Sequence, residues 1–172
     1  MATVRKLTGL KADASVAQLN KLRLDMMRLR AGLVFHASAS TAVSTANASD
    51  LATSIALITA LQAAYTAHIA SACSSTSGVG AHMAADATNV LTAPTPTDLA
   101  SCITAVNELK AEYNLHRVVT SCHPVADSTN AVSTADATDL ASVIALANDV
   151  KAKLNAHFAA AFTSEAIELV SP

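Results

Sequence analysis

The chain has 172 residues and a net charge of −2, and 52% of its residues are hydrophobic but only 3% are aromatic. This length is sufficient for one domain with a buried core. The chain has no Trp and only four Gly, which argues against a β-sandwich and against a nucleotide-binding α/β fold. Alanine supplies much of the hydrophobic fraction, and it favours helices that pack closely.

The N-terminal segment is basic. Residues 1–30 have a net charge of +5, whereas the remainder has −7. The arm over residues 1–14, with Arg5, Lys6 and Lys11, is therefore expected to contact an acidic partner or the acidic half of another copy. Nucleic acid is an alternative partner. However, no aromatic residues are interleaved with these charges, and a solvated helix face accounts for most of them.

A helix-plus-loop unit is repeated four times in the domain over residues 15–162, and the helix of each copy ends on a histidine. These histidines are His36, His68, His116 and His157. A helix-capping residue precedes each histidine by 21 positions, and Gln or Asp follows it three residues later, as a capping box requires. The predicted N-caps are Ser15, Asn47, Thr95 and Asp136, and their partners are Gln18, Asp50, Asp98 and Asp139. Pro96 fits the first position of the third helix.

Within each copy the apolar residues follow a heptad with one additional apolar position, which is typical of a globular bundle. In the last three copies, one core position of the heptad holds Ile58, Val106 and Ala147, and a second core position holds Leu61, Leu109 and Val150. The expected fold is all-α, either a four-helix bundle or paired helical hairpins, with extended terminal arms. The linker over residues 37–46 is short, so the first two helices are expected to be antiparallel.

Two long loops, residues 69–94 and 117–135, share a polar pattern. One contains His82, Asp86 and Thr88-Asn89, and the other contains His123, Asp127 and Thr129-Asn130. Asx or ST turns are expected to order both loops. The pairs Asn107/Asn114 and Asn148/Asn155 recur seven residues apart, either as polar contacts to a loop or a neighbour or as solvated positions.

The histidines are the residues that indicate a metal site. The candidate ligands for zinc or another divalent metal are grouped by loop, as His68, His82 and Asp86 or as His116, His123 and Asp127. Their spacing matches no zinc signature. A histidine in the last helical turn also interacts favourably with the helix dipole and can bond free carbonyls or a loop Asp. We therefore expect structural histidines with no metal and no cofactor, and a metal-binding helical bundle is an alternative.

Catalytic motifs are absent from the sequence, which has no nucleophile elbow, no zinc-protease motif and no phosphate-binding glycine loop. A non-enzymatic protein is expected. The three cysteines, Cys73, Cys102 and Cys122, show no CxxC spacing and are expected to be buried thiols in a protein made in the cytosol. No secretory signal is recognised, and no membrane span is expected because Gln62 and His68 interrupt the most apolar stretch.

The C-terminal tail over residues 163–172 contains the apolar residues Ile167, Leu169 and Val170. Such a short segment cannot bury these side chains by itself. It is expected to fold back or to bind a partner, and a homo-oligomer or a lattice of copies is the expected assembly.

Virion structural proteins of tailed bacteriophages contain repeats that resemble two segments of this chain, NELKAEYNLHRVVTSCHPVADSTNAVSTADATDLAS and NDVKAKLNAH. Those proteins alternate a helix ending in Asn-x-His with a polar loop that carries His, Asp and Thr-Asn. The resemblance covers about residues 82–160, and the second helix departs from it with Thr66 in place of Asn. The matching residues are Asn114, His116, His123, Asp127 and Asn130.

The resemblance implies a virion component synthesised in the host cytoplasm. The leading hypothesis is a non-enzymatic capsid decoration or cement protein that binds other copies of itself and the major capsid protein. A protein associated with the head-tail neck or connector is the alternative within this class. Outside it, the alternatives are the metal-binding bundle and a nucleic-acid-binding adaptor that uses the basic N-terminus.

Overall fold

The computed structural model describes residues 34–35, 42–71, 82, 84–123, 126–160 and 162–163. It contains three helices, α1 (Leu51–Ala70), α2 (Leu99–His116) and α3 (Leu140–Ala159). Two short strands, β1 (Val34–Phe35) and β2 (Phe162–Thr163), pair antiparallel with Val34 opposite Thr163. Each helix packs against the other two, so the described part is helical, as predicted.

Each helix begins at an aspartate that forms a reciprocal capping box. The N-caps are Asp50, Asp98 and Asp139, and each carboxylate accepts a hydrogen bond from the backbone N–H three residues later. The hydroxyl group at that later position, on Thr53, Ser101 or Ser142, accepts from the N–H of the capping aspartate in return. The N–H groups of the N-cap and of the third helical residue are thereby satisfied.

The predicted N-caps Asn47, Thr95 and Asp136 are wrong by three residues. The sequence pattern assigned the aspartates to the second position of the capping box, whereas the structure places them at the first. Asp followed three residues later by Ser or Thr satisfies the same two N–H groups with the roles exchanged. Pro96 consequently lies before the N-cap Asp98 rather than at the first helical position.

The prediction of a first helix over residues 15–36 falls outside the described residues except at Val34–Phe35, which form β1 instead. Valine and phenylalanine favour extended backbone, and Phe162–Thr163 provide the pairing. The strand β2 also crosses the boundary predicted between residues 162 and 163. The predicted contact residues of the two arms lie outside the described residues: Arg5, Lys6, Lys11, Ile167, Leu169 and Val170.

The heptad assignment agrees with the buried core of the described helices. At the positions predicted to face the core, Ile58, Val106 and Ala147 are fully buried. So are Leu61, Leu109 and Val150 on the neighbouring heptad position. None of α1, α2 and α3 has the combination of length and apolar character that a membrane-spanning helix needs.

Asparagine side chains bind the segments that lead into the helices. The Asn107 side chain on α2 accepts from the N–H of Ala137 (2.8 Å) and donates to its carbonyl (3.0 Å). Asn148 on α3 binds both backbone groups of Ala48 in the same way. A second level repeats this arrangement, with Asn114 on Val132 and Asn155 on Val43. These asparagines therefore contact a loop, one of the two roles expected from the sequence.

The asparagine contacts show that the helices run parallel. Asn114 binds Val132 and Asn107 binds Ala137, so the segment before α3 runs antiparallel to α2 and starts α3 beside the beginning of α2. In the same way α3 holds the segment before α1, and Gln62 on α1 donates to the carbonyls of Ala93 and Pro94 before α2. The three contacts form a closed cycle. No antiparallel hairpin forms among these helices, because the long loops return the chain along the full length of a helix.

Replacing Asn107 with Ala should destabilise the protein by about 1–3 kcal/mol, because the N–H and C=O of Ala137 each lose their partner. Thr104 lies exposed on the same helix and is a matched control. Thr104→Ala should change the free energy of unfolding by less than about 0.5 kcal/mol. Urea denaturation measures both variants. Equal costs would show that the Asn107 contact does not stabilise the fold.

Candidate functional site

Five buried histidines lie together at the C-terminal end of the helical bundle. His68, His116 and His157 come from the last turns of α1, α2 and α3. His82 and His123 come from the loops that follow α1 and α2. Because the helices are parallel, their last core positions meet at one end, and the loops add the other two imidazoles. We refer to these five residues as the histidine cluster.

Four members of the histidine cluster are close enough to bind one ion. His68, His82, His116 and His123 each offer one ligand atom, and these four atoms all lie within 4.8 Å of one another. The Nε2 atoms of His68 and His82 are 3.1 Å apart. All four residues belong to the ligand set proposed from the sequence. The structure thus brings together the four histidines of that set, and Asp86 and Asp127 lie behind them.

The two aspartates fix the orientation of two of the imidazole rings. The Nδ1–H of His116 donates to Asp86 Oδ2 (2.8 Å), and the Nδ1–H of His157 donates to Asp127 Oδ2 (2.7 Å). An ionised carboxylate can only accept, so Nδ1 carries the proton of each contact, and in a neutral imidazole the lone pair then lies on Nε2. His123 Nδ1 is likewise 3.1 Å from the carbonyl oxygen of Val119. Such contacts are the usual support of metal-binding histidines.

The shared loop pattern explains how each aspartate is held. Asp86 Oδ1 accepts from the backbone N–H groups of Thr88 and Asn89, and Oδ2 accepts from the Asn89 side chain. Asp127 makes the same three contacts with Thr129 and Asn130. These are the Asx turns expected from the sequence.

The two core tyrosines attach these loops to the helices. The hydroxyl groups of Tyr65 and Tyr113 donate to the carbonyls of Asn89 and Asn130, each at 2.7 Å. The loop geometry is therefore set by the helices as well as by the local turns.

Both aspartates remain ionised despite their burial. Burial by itself would raise the pKa of Asp86, but hydrogen bonds from Asn89, His116 and the backbone N–H groups hold that pKa well below the usual range. The pKa of Asp127 is lowered in the same way, by His157 and Asn130. Two negative charges therefore lie under the histidine cluster.

The imidazoles of His116 and His123 are neutral at neutral pH. Burial lowers the pKa of His116, although the hydrogen bond to Asp86 opposes the shift. Burial and the neighbouring histidines lower the pKa of His123 to about 4. Neutral imidazole is the form that binds metals. Within the described residues, the buried Nε2 of His116 has no hydrogen-bond partner, which ordinarily costs about 1–3 kcal/mol.

The pairing of histidines with aspartates differs from the grouping proposed from the sequence. That grouping placed Asp86 with His68 and Asp127 with His116, the histidines that precede them in the chain. In the structure each aspartate bonds the histidine of the helix that follows it. His157 was absent from the candidate ligands, although it occupies the same repeat position as His68 and His116. Cys102 and Cys122 are buried thiols, as expected, and Cys73 lies outside the described residues.

Comparisons of the chain with protein-family models, with curated proteins and with solved structures find no match.

The buried neutral histidines predict a pH dependence for the chelator-treated protein. As the pH falls below the usual histidine value of 6.5, the unfolded chain takes up protons that the folded chain excludes. Stability should therefore decrease between pH 6.5 and about 4, the pKa of His123. Asp86 and Asp127 affect the pH dependence only at lower pH. Because their pKa values in the folded chain lie below the usual 3.8, the stability that they contribute is lost only as the pH falls below 3.8.

Thermal unfolding followed by circular dichroism across this range measures the effect. His123→Gln should reduce the pH dependence, since one of the excluded protonation sites is removed. A melting temperature that stays constant between pH 6.5 and 4 would contradict the assignment of neutral buried imidazoles.

Proposed function

We propose that this protein binds one divalent transition-metal ion in the histidine cluster and that the ion ties together the helix ends and the two loops. The observation that carries the proposal is the set of four buried imidazoles whose ligand atoms lie within 4.8 Å of one another. They come from four separate segments of the chain: the ends of α1 and α2 and the loops after them. One ion bound to all four would cross-link these segments.

The ligand type indicates the class of metal. Imidazole nitrogens suit Zn²⁺, Cu²⁺, Ni²⁺ and iron, whereas Ca²⁺ and Mg²⁺ prefer oxygen ligands. The nearby carboxylates of Asp86 and Asp127 are occupied by hydrogen bonds to His116, His157 and the loop asparagines. They act as supports of the ligands, so the donor set is nitrogen.

The electrostatics of this end of the bundle favour a cation. The carboxylates of Asp86 and Asp127 carry two negative charges, and the neutral rings of His116 and His123 do not compensate them. Three parallel helices also direct their C-terminal ends, each with about half a negative charge, toward the same region. A divalent cation balances this buried charge.

Burial of the ligands favours a structural role over a catalytic one. His82, His116 and His123 are fully buried, and His68 is 3% exposed. Catalytic metal sites keep a ligand position that substrate can reach, whereas structural sites are closed. A bound ion stabilises the folded state according to its concentration relative to Kd, because the unfolded chain does not hold the ligands together.

The test is metal binding by the purified full-length chain. Calorimetric titration of chelator-treated protein with Zn²⁺ or Ni²⁺ should give one ion per chain, and the bound ion should raise the melting temperature. His116→Asn should weaken binding at least tenfold, because it removes one ligand. Val150→Ala, a core change without ligand atoms, should lower stability and leave the affinity unchanged. A melting temperature that neither added metal nor chelator alters would contradict the proposal.

A second candidate function is a non-enzymatic structural component of a tailed-phage virion, with the capsid exterior as its proposed location and the head-tail neck as the alternative. The support is the resemblance over residues 82–160, together with the way its matching residues interact. Asn114 holds the segment before α3, and Asp127 contacts both Asn130 and His157, so the matched pattern corresponds to one hydrogen-bonded unit. A metal-tied bundle suits a durable structural protein.

This second candidate predicts that the chain is present in purified particles, in many copies on a capsid or as a single ring at a neck. Mass spectrometry and electron microscopy of the particles measure presence and position. Deleting residues 1–14 or 163–172 should preserve helicity and abolish incorporation. Normal incorporation of both truncated chains would exclude the arms as the contacts.

A further inference from the structure

The arrangement of the five imidazole rings has the form of a square pyramid. His116 is the apex, and its ring centroid lies 4.8–5.8 Å from those of the other four histidines. The other four form a closed ring in the order His68, His82, His123, His157. Successive centroids in this ring are 4.3–5.3 Å apart. The planes of neighbouring rings are inclined by 65–88°.

His157 is held in the same manner as the apical histidine. Both donate Nδ1–H to a buried aspartate, at 2.7 Å for His157 and 2.8 Å for His116. Each also meets a tyrosine of the preceding helix edge-on, His157 with Tyr113 at 5.6 Å and His116 with Tyr65 at 5.8 Å. The contact with Asp127 occupies Nδ1 of His157, so Nε2 is the atom that would bind an ion, as in His116.

The repeat explains why the cluster has five members. Each full unit would supply one histidine from the helix end and one from the segment 16 residues before the N-cap. His82 precedes Asp98, and His123 precedes Asp139, by that spacing. At the corresponding place before Asp50 the sequence has Val34, which carries no ligand atom. Three helix histidines and two loop histidines correspond to an octahedral set with one corner missing.

The Nε2 atoms of His68 and His82 form a hydrogen bond with each other, and their spacing also suits two ligands at right angles. Two ligands at right angles, each about 2.1 Å from an ion, are separated by roughly 3.0 Å. The Nε2 atoms of His68 and His82 are 3.1 Å apart.

The ligand atoms within 4.8 Å of one another belong to His68, His82, His116 and His123, and His157 lies beside this set. We infer that His157 joins them as a fifth ligand when an ion binds and that the bound centre is a square pyramid of five imidazoles with His116 at its apex. The inference rests on the proposed metal binding and defines its geometry. Such a centre favours a cation that accepts five or six ligands, such as Co²⁺, Ni²⁺ or Cu²⁺, over the tetrahedral coordination typical of structural Zn²⁺.

Co²⁺ is the probe that tests this geometry, because its visible spectrum and its X-ray absorption both report the coordination number. The full-length protein loaded with Co²⁺ should show five nitrogen neighbours and the weak visible bands of a five-coordinate ion. His157→Asn should lose one nitrogen neighbour and bind Co²⁺ at least tenfold more weakly. Val150→Ala, a core change on the same helix without a ligand atom, should keep all five nitrogens.

The results distinguish a wrong assignment of the fifth ligand from a wrong assignment of metal binding itself. Four nitrogens in the unmodified protein, with intense tetrahedral bands and no effect of His157→Asn, would overturn the fifth ligand and leave metal binding intact. The unmodified protein needs no variant for this result, so the test does not depend on the folding of His157→Asn. Failure of the unmodified protein to bind Co²⁺, Ni²⁺ or Zn²⁺ would overturn both proposals.

Discussion

The parallel direction of the three helices is the constraint on which the rest of the structure depends. It is imposed by side chains that bind the backbone of the segment leading into the next helix, Asn107 on Ala137 and Asn148 on Ala48. Each contact supplies a donor and an acceptor to backbone groups that would otherwise compete for water. Because the contacts form a cycle, all three helices point the same way. The helix-end histidines therefore meet at a single point instead of being divided between two ends.

This convergence creates an end of the bundle that is both buried and polar. Apolar side chains such as Leu57 and Leu154 fill most of the core of the bundle, but the last core layer, at the C-terminal ends of the helices, contains imidazoles. Buried polar groups require hydrogen-bond partners. Asp86 provides one for Nδ1 of His116, and Asp127 provides one for Nδ1 of His157. The carboxylates are in turn satisfied by the Asx turns of their own loops. The network has a direction, from loop to carboxylate to imidazole, and it ends on nitrogen lone pairs that a metal ion can accept.

Much of the helical part could be predicted from the sequence, because heptad periodicity and capping boxes are local signals. The core positions of Ile58, Val106 and Leu109 followed from that periodicity. The starting residues did not, since Asp followed by Ser or Thr three residues later forms the box in the reverse sense. The strand at Val34–Phe35 depends on pairing with Phe162–Thr163, more than a hundred residues away, and no local pattern indicates it.

The candidate site was predictable in its residues but not in its geometry. The repeat identified His68, His82, His116 and His123 as possible ligands, together with Asp86 and Asp127. Whether they meet depends on helix direction, which the loop lengths left open. The pairing of Asp86 with His116 connects residues 30 positions apart in the chain. It forms because the parallel helices bring the end of α2 beside the loop that precedes α2, and no local sequence pattern indicates it. His157 could have been included from the repeat alone, since it occupies the helix-end position of His68 and His116.

A metal ion bound among the imidazoles of the histidine cluster is the central proposal for this protein. Anomalous diffraction from crystals of the full-length protein grown with Ni²⁺ or Zn²⁺ tests this proposal most directly. One strong peak per chain is expected, about 2.0–2.2 Å from Nε2 of His116 and from a nitrogen of each of His68, His82 and His123. Density maps without a peak inside the cluster, or with metal only at surface residues, would contradict it.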